Sequence, residues 1–436
     1  MIIDRKIKVL RIYMKISVVG GGYVGLVTGT CFAELGHEVT IIEVDPVKVS
    51  AINHGDPPIY EAGLKDLLKK NAERKLRAST GYEPVSSAEI VFIAVGTPPK
   101  PDGSVNLSYI ESASVSIGRS LKENPSYCVV IVKSTVPPGT TETIVRPAVL
   151  QASGKTENEI GFAMNPEFLR EGRAVEDFLH PDRIVIGSSN PRAGDRVAEV
   201  YRNLTAPVLR TGLTAAEMIK YASNAFLATK ISFSNEIGNL CKKLGIDVYE
   251  VMTGVGLDAR IGPLFLNAGA GFGGSCFPKD VSALVSLAES VGEDPTLLHS
   301  VLAVNEQQPC RMIQILETRI GAVNGKRIAI LGLAFKDNTD DIRDSRAIPV
   351  IRELVQKGAN VVAYDPMAIP NMRQVFPTIE YYETAAGALA GADACLVMTE
   401  WPEFSKIDKE FDLMAHPVII EGRRILSRKG IEGICW

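Results

Sequence analysis

Short β-rich runs alternate with segments of helical period from Lys15 to about Arg210, and this alternation constrains the fold more than any other feature of the chain. The runs are KISVVG, HEVTIIE, EIVFIAV, CVVIVK, IGFAMN and RIVIG. Strands separated by crossover helices form parallel sheets, so a doubly wound domain is expected here. Polar breaks at 151–158 and 188–195 read as surface loops. The texture then changes. Thr214 and Glu217 have the spacing of a capping box, and a helical period continues from them to Gly245, which supplies a stop. After a glycine-rich stretch and more helix, GAVNGK at 321–326 reads as a linker, and RIAILG, ANVVAYD, DACLVM and PVIIEG resume the alternation. The expected architecture is α/β, two doubly wound Rossmann-like domains joined by a central helical region with a long connecting helix. Its expected parts are an N-terminal extension at 1–13, a first domain at 14–212, a helical domain at 213–320 and a second doubly wound domain at 321–436.

A chain of 436 residues with 46% hydrophobic composition is too long for one core and apolar enough to build two or three. A net charge of -4 supplies no basic field for a polyanion, which argues against nucleic acid or an anionic membrane as the main partner. The seven cysteines are odd in number, scattered and free of CxxC spacing, so neither a metal cage nor a secreted disulfide framework is expected. No run of 18 apolar residues exists and the N-terminus lacks a signal-peptide core, so a soluble, cytoplasmic protein is expected.

GGGYVG at 20–25 lies between the strand KISVV and the helical segment LVTGTCFAEL. In that context Gly20 permits a tight turn, Gly22 lets the backbone approach a pyrophosphate, and Gly25 lets helix and strand pack closely. The next strand ends in Glu43, whose carboxylate accepts from ribose hydroxyls and repels a 2′-phosphate. NAD is therefore expected in preference to NADP.

Lys220 and Asn224 are four residues apart on the long helix, share a face, and can donate two hydrogen bonds to one developing oxyanion. In AGAGFGGSCFPKD, at 268–280, the glycines leave backbone amides uncovered, and Pro278 suits the first turn of a helix. Cys276 would then sit just before a helix N-terminus, where the dipole and Lys279 lower a thiol pKa. Asp280 is close enough to act as a base or to orient the cysteine's surroundings. A thiolate beside a nicotinamide has a specific meaning, because an aldehyde yields a second hydride only after a nucleophile adds to it. Oxidation of an alcohol to an acid is expected. Lys336, Arg343 and Arg346 follow a strand that lacks a full GxGxxG, so the last domain is expected to hold a diphosphate and not a second dinucleotide.

At these residues the chain resembles the UDP-glucose 6-dehydrogenase family, within the wider UDP-glucose/GDP-mannose dehydrogenases. The resemblance runs from Met14 to about Arg424 and includes VGTPPK (95–100), KSTVPPGTTE (133–142), NPEFLREGRA (165–174), PDRIVIG (181–187), YASNAFLATKISFSNEIGNLC (221–241), DARIGPLFL (258–266), LGLAFK (331–336), TDDIRDS (339–345) and GRR (422–424). It implies Cys276 as nucleophile, Lys220 and Asn224 as oxyanion stabilisers, Asp280 as an acid/base helper, and Thr135 and Glu167 as the residues that position the hydrolytic water. It implies Gly20, Gly22, Tyr23, Val24, Gly25, Glu43, Lys48, Thr97, Thr135, Lys279 and Arg343 at NAD. On UDP-glucose it places Glu167, Phe168, Leu169, Glu171, Lys220, Asn224, Phe265, Gly273, Phe277, Phe335, Lys336 and Arg423. Arg260 is similar to a family arginine that enters the neighbouring subunit's site, which implies a homodimer or larger assembly. Phe272 stands where tyrosine is common, Asp337 where proline or glutamate is frequent, and Glu43 where aspartate is usual. The nearest rival is a sibling acting on GDP-mannose or a UDP-N-acetylhexosamine. A single-step hydroxyacid dehydrogenase would have no need of Cys276, and a scaffold without turnover no need of the whole set.

Overall fold

The computed structural model describes residues 13–72 and 74–436. The extension expected at the N-terminus lies, up to residue 12, outside the described residues. The chain forms two compact units, one comprising residues to 98 with 105–220, the other 99–104 with 221–436.

The first unit is built on an eight-stranded sheet: β1 (Lys15–Val19), β2 (Glu38–Ile42), β3 (Leu76–Ser79), β4 (Ile90–Ile93), β5 (Cys128–Val132), β6 (Ile160–Met164), β7 (Ile184–Ser188) and β8 (Val208–Thr211). Their spatial order is β3-β2-β1-β4-β5-β6-β7-β8. Neighbours run parallel except β6 and β7, which are antiparallel. The expected all-parallel sheet is corrected there, since β-rich composition reports a strand but not its direction. Alternate residues of each central strand face opposite sides, so Phe92 and Ile131 join one apolar cluster while Val91, Ile93, Val130 and Val132 join another. The order reverses between β1 and β4, and the carboxyl ends at such a reversal form the ligand crevice of an open α/β sheet.

The stretch 188–195, expected as a loop, instead starts a helix at Pro191–Val200. Asn190 caps it by accepting from the Ala193 amide at 2.9 Å, and Pro191 takes the first turn, where its missing N–H costs nothing.

The long helix spans Leu213–Leu244 and stops at Gly245, whose φ of 69° is left-handed. The capping box expected at its start does not form. Thr214 lies inside the helix, and Glu217 accepts from the Gly139 amide at 2.5 Å, the Thr141 amide at 2.8 Å and the Thr141 hydroxyl at 2.6 Å. The amides at the start of the helical segment Thr141–Val145 have taken the carboxylate that the long helix's terminus could have used.

The second unit holds a six-stranded parallel sheet in the order β11-β10-β9-β12-β13-β14. Its strands are β9 (Arg327–Leu331), β10 (Asn360–Tyr364), β11 (Glu380–Tyr381), β12 (Ala394–Val397), β13 (Ile419–Glu421) and β14 (Glu432–Gly433). Helices Val248–Gly256, Phe277–Ser290 and Thr296–Ile320 precede it.

Candidate active site

The residues singled out by sequence fall into two groups, one in each unit. In the first unit the fingerprint glycines separate by cause. A Cβ on Gly20, whose φ is 107°, would lie 2.5 Å from the Ala94 carbonyl oxygen, and one on Gly25 would lie 1.9 Å from the Gly20 oxygen. A Cβ on Gly22 would meet no protein atom within 4 Å. Protein packing therefore explains two of the three glycines, and the third fits close approach of a ligand backbone to the helix Tyr23–Glu34, which Gly22 caps. Val24 lies in its first turn. Glu43, just past β2, accepts from the Gly21 amide at 3.0 Å and the Asp45 amide at 3.0 Å. Its carboxylate is thus held against the glycine turn at the crevice. Lys48 is half-buried on the helix Pro46–Asn53, and Thr97 and Thr135 are half-buried in the loops after β4 and β5.

Deeper in this unit, Lys220 Nζ pairs with Glu167 Oε1 at 3.0 Å, with both side chains buried. Glu167 Oε2 accepts from the Leu169 amide at 2.6 Å. Burial pushes the Glu167 carboxyl up, but the Lys220 ammonium, the Leu169 amide and the charge of Lys133 together outweigh it and hold the group below its ordinary value. The Phe168 ring takes Arg183 at 3.9 Å and Lys220 at 5.5 Å from its centroid. Glu171 is half-buried in the same strip.

Beneath the strip lies a network that motif reasoning missed. Lys133 is buried and donates to Asn165 Oδ1 at 2.9 Å and to the Tyr201 hydroxyl at 3.2 Å, while Tyr201 donates to Asn165 Oδ1 at 2.5 Å. Burial, with Glu167 opposing and Lys220 adding, brings Lys133 down to about 7. Lys133 and Asn165 both stand in quoted motifs, so the signal was present as residue type. Their contact across the sheet was not.

In the second unit Cys276 is the N-cap residue of the helix Phe277–Ser290, with Pro278 in the first turn, and its side chain is exposed. Asp280 is 1% exposed and accepts from Asn224 Nδ2 at 2.6 Å and from Lys279 Nζ at 2.5 Å. Lys279, expected beside the thiol and the NAD phosphates, is thus turned onto Asp280. Lys220 and Asn224 share a helix face as expected, yet each is bonded to its own carboxylate.

The glycine loop before Cys276 is held by three amide side chains that sequence reasoning also passed over. Asn235 accepts from the Gly269 amide at 2.7 Å, Gln308 donates to the Gly269 oxygen at 2.8 Å, and Asn305 brackets Phe272 with bonds of 2.7 Å and 3.0 Å. The Gly274 amide donates to the Arg343 oxygen at 2.8 Å, and a Cβ on Gly273 would strike the Asp344 oxygen. Phe335 packs on the Gly274 face and has Lys336 5.6 Å from its centroid. Arg423 donates to the Gly271 oxygen and pairs with Glu400 at 3.1 Å. Phe277 stacks edge-on with Phe265 at 6.1 Å and with Phe272 at 6.0 Å. Phe265 has a φ of 65°, a left-handed backbone held by its surroundings. Arg343 forks onto Asp341 at 2.6 Å and 2.9 Å, and Arg260, 89% exposed, pairs with Asp258.

The second sheet shows why its turn differs from the first. Asp365, after β10, stands where an acid would meet a ribose, but it is 2% exposed and accepts from the Leu333 and Ala334 amides and from Trp401 Nε1. With the Met367 and Ala368 amides on Oδ1, five donors of the chain fill its two oxygens against two on Glu43, which supports the expectation that this domain does not take a dinucleotide in the ordinary way.

A doubly wound sheet with this glycine turn at its crevice defines a dinucleotide-binding protein. Comparison with known proteins agrees. Residues 14–205 match the NAD binding domain of the UDP-glucose/GDP-mannose dehydrogenase family, 214–307 its central domain and 329–428 its UDP binding domain. The UDP-glucose 6-dehydrogenase AglM of Haloferax volcanii is 48% identical over 95% of this chain and 98% of its own. A UDP-glucose dehydrogenase structure from Pyrobaculum islandicum superposes with a TM-score of 0.93, 42% identity and complete coverage of both chains. A UDP-D-ManNAc dehydrogenase structure from Pyrococcus horikoshii gives 0.85 and 29% identity over 97% of this chain and 99% of its own. The chain belongs to the UDP-glucose/GDP-mannose dehydrogenase family, and NAD is its cofactor.

Proposed function

We propose that the chain oxidises the C6 alcohol of UDP-glucose to the carboxylate of UDP-glucuronate in two steps through a Cys276 thioester. The observation that carries this reading is the seat of Cys276, an exposed thiol at the N-cap of a helix in a chain of this family. Two NAD molecules, bound in turn, would supply the hydride acceptors, one for the alcohol and one for the thiohemiacetal. The Cys276 thiolate adds to the aldehyde left by the first transfer, and the second transfer leaves an acyl group on its sulfur. Water cleaves that thioester, regenerating the thiol and releasing the acid. Lys220 and Asn224 would donate to the oxygen that becomes negative at each stage. Asp280, bonded to Asn224 and Lys279, orients that amide and takes a proton. Thr135 and Glu167 would position the hydrolytic water, while Phe335, Lys336 and Arg423 would hold the UDP portion.

The reading includes a homodimer. Phe226, Phe233 and Leu240 recur every seventh residue along the long helix and are 65%, 50% and 54% exposed. A second copy of the same helix would cover that apolar face, and Arg260 would reach the partner's site. All seven cysteines are unpaired, which fits a reducing cytoplasm. Among the described residues no helix is long and apolar enough to cross a membrane.

The test is NADH formed per sugar consumed, with UDP-glucose, GDP-mannose and UDP-N-acetylhexosamines as substrates. Two NADH per UDP-glucose, with the others turned over far more slowly, supports the reading. One NADH per sugar, or preference for another nucleotide sugar, overturns it.

A further inference from the structure

Glu61 is 5% exposed and lies in no motif used so far. Its carboxylate accepts from the Gly172 amide at 2.7 Å, from the Ala174 amide at 2.8 Å and from the Tyr23 hydroxyl. The Gly172 amide is shared, reaching the Tyr23 hydroxyl at 3.1 Å as well. Tyr23 is the first residue of the helix that Gly22 caps. Gly172, with a φ of 82°, directly follows Glu171 and closes the strip that carries Glu167, Phe168 and Leu169. A dinucleotide turn needs only backbone amides at its helix start, so it does not account for a tyrosine hydroxyl bonded to this strip. Burial, and then the Glu61 carboxylate, push the Tyr23 hydroxyl up, which keeps it a donor throughout the working range. Tyr23, Ile59 and Leu169 also pack against one apolar cluster, so the three segments are joined by apolar contact as well.

We propose that Tyr23 and Glu61 are positioning residues that tie the dinucleotide turn to the substrate strip, so that seating NAD on the turn orders the strip for the sugar nucleotide. The proposal rests on the reading of those two segments as NAD and substrate sites. A buried carboxylate keeps its donors because losing one leaves an unpaired charge in an apolar setting. A displacement of the helix start is therefore passed through Glu61 to residues 172–174.

Backbone hydrogen exchange in the full-length protein, with and without NAD, tests the link without any sugar nucleotide. In the wild type NAD should slow exchange at the Gly172 and Ala174 amides by about fivefold, the scale of one net hydrogen bond. Tyr23→Phe, which keeps the ring, and Glu61→Gln should abolish that slowing at an NAD concentration that saturates each variant. Glu61→Gln should also raise the KM for UDP-glucose by about fivefold with kcat changed less than about twofold, a split that simple loss of stability does not produce. If NAD slows these amides equally in both variants, or leaves them unaffected in the wild type, the proposal is wrong. Failure of the sugar reading would show separately, in the nucleotide-sugar assay. Should Glu61→Gln not fold, Tyr23→Phe alone decides.

Discussion

Lys220 Nζ stands 3.0 Å from Glu167 Oε1 with only 4% and 7% of the two side chains exposed. A pair this deep is costly to half-remove, because the surviving charge is stranded in a medium that solvates it poorly.

Lys220→Met or Glu167→Gln should each destabilise the protein by roughly 3–5 kcal/mol, the scale of a broken buried pair. The double variant should be less destabilised than the sum of the two. The folded pKa of Glu167 lies below its ordinary value, so its contribution is complete above that value and is lost as pH falls through the folded one. Urea unfolding from pH 7 to 3 should show the wild type losing its advantage over Glu167→Gln below about pH 4. A constant difference across that range would show that the carboxylate is not ion-paired in solution.

Lys133 gives a slope of the same sign, but at alkaline pH. Burial brings its folded pKa to about 7, so above pH 7 the unfolded chain binds a proton that the folded one does not, and stability rises with pH. That term is worth at most about 1.4 kcal/mol per pH unit. Melting curves from pH 6 to 9.5 should show the wild type gaining on Lys133→Met above pH 7. Parallel curves would mean that Lys133 keeps its proton throughout.

Glu43 is held at the crevice by the Gly21 and Asp45 amides, and the proposed reading has it exclude a 2′-phosphate. The kcat/KM for NAD should exceed that for NADP by roughly 100-fold, since like charges in contact cost several kcal/mol. Glu43→Ser should narrow the ratio. Comparable values in the wild type would show that Glu43 does not face the ribose.

Cys276→Ala should abolish formation of the sugar acid while NAD and UDP-glucose still bind. Cys276→Ser should accumulate a covalent sugar-nucleotide adduct, because an oxygen ester is a poorer acyl donor than a thioester, and intact-protein mass would reveal it. Acid formation by Cys276→Ala at a near wild-type rate with two NADH per sugar would rule out the covalent route.

What the sequence determined by itself is whatever depends on near neighbours. Strand and helix alternation, the turn at Gly20 to Gly25, the stop at Gly245 and the place of Cys276 ahead of Pro278 all follow from local geometry, and each appears as read. Even there, local rules failed where the chain returned on itself. Glu217 had capping-box spacing, yet it was drawn to the Gly139 and Thr141 amides at the start of another helical segment, where donors have no carbonyl of their own turn to meet. Tertiary structure alone decided the antiparallel step from β6 to β7, the Lys133–Asn165–Tyr201 network, the amide side chains behind the Cys276 loop, and Glu61 between Tyr23 and Gly172. These are hydrogen bonds between residues from tens to more than a hundred positions apart, and no spacing in a single chain encodes which distant donor will be left without water when the core closes.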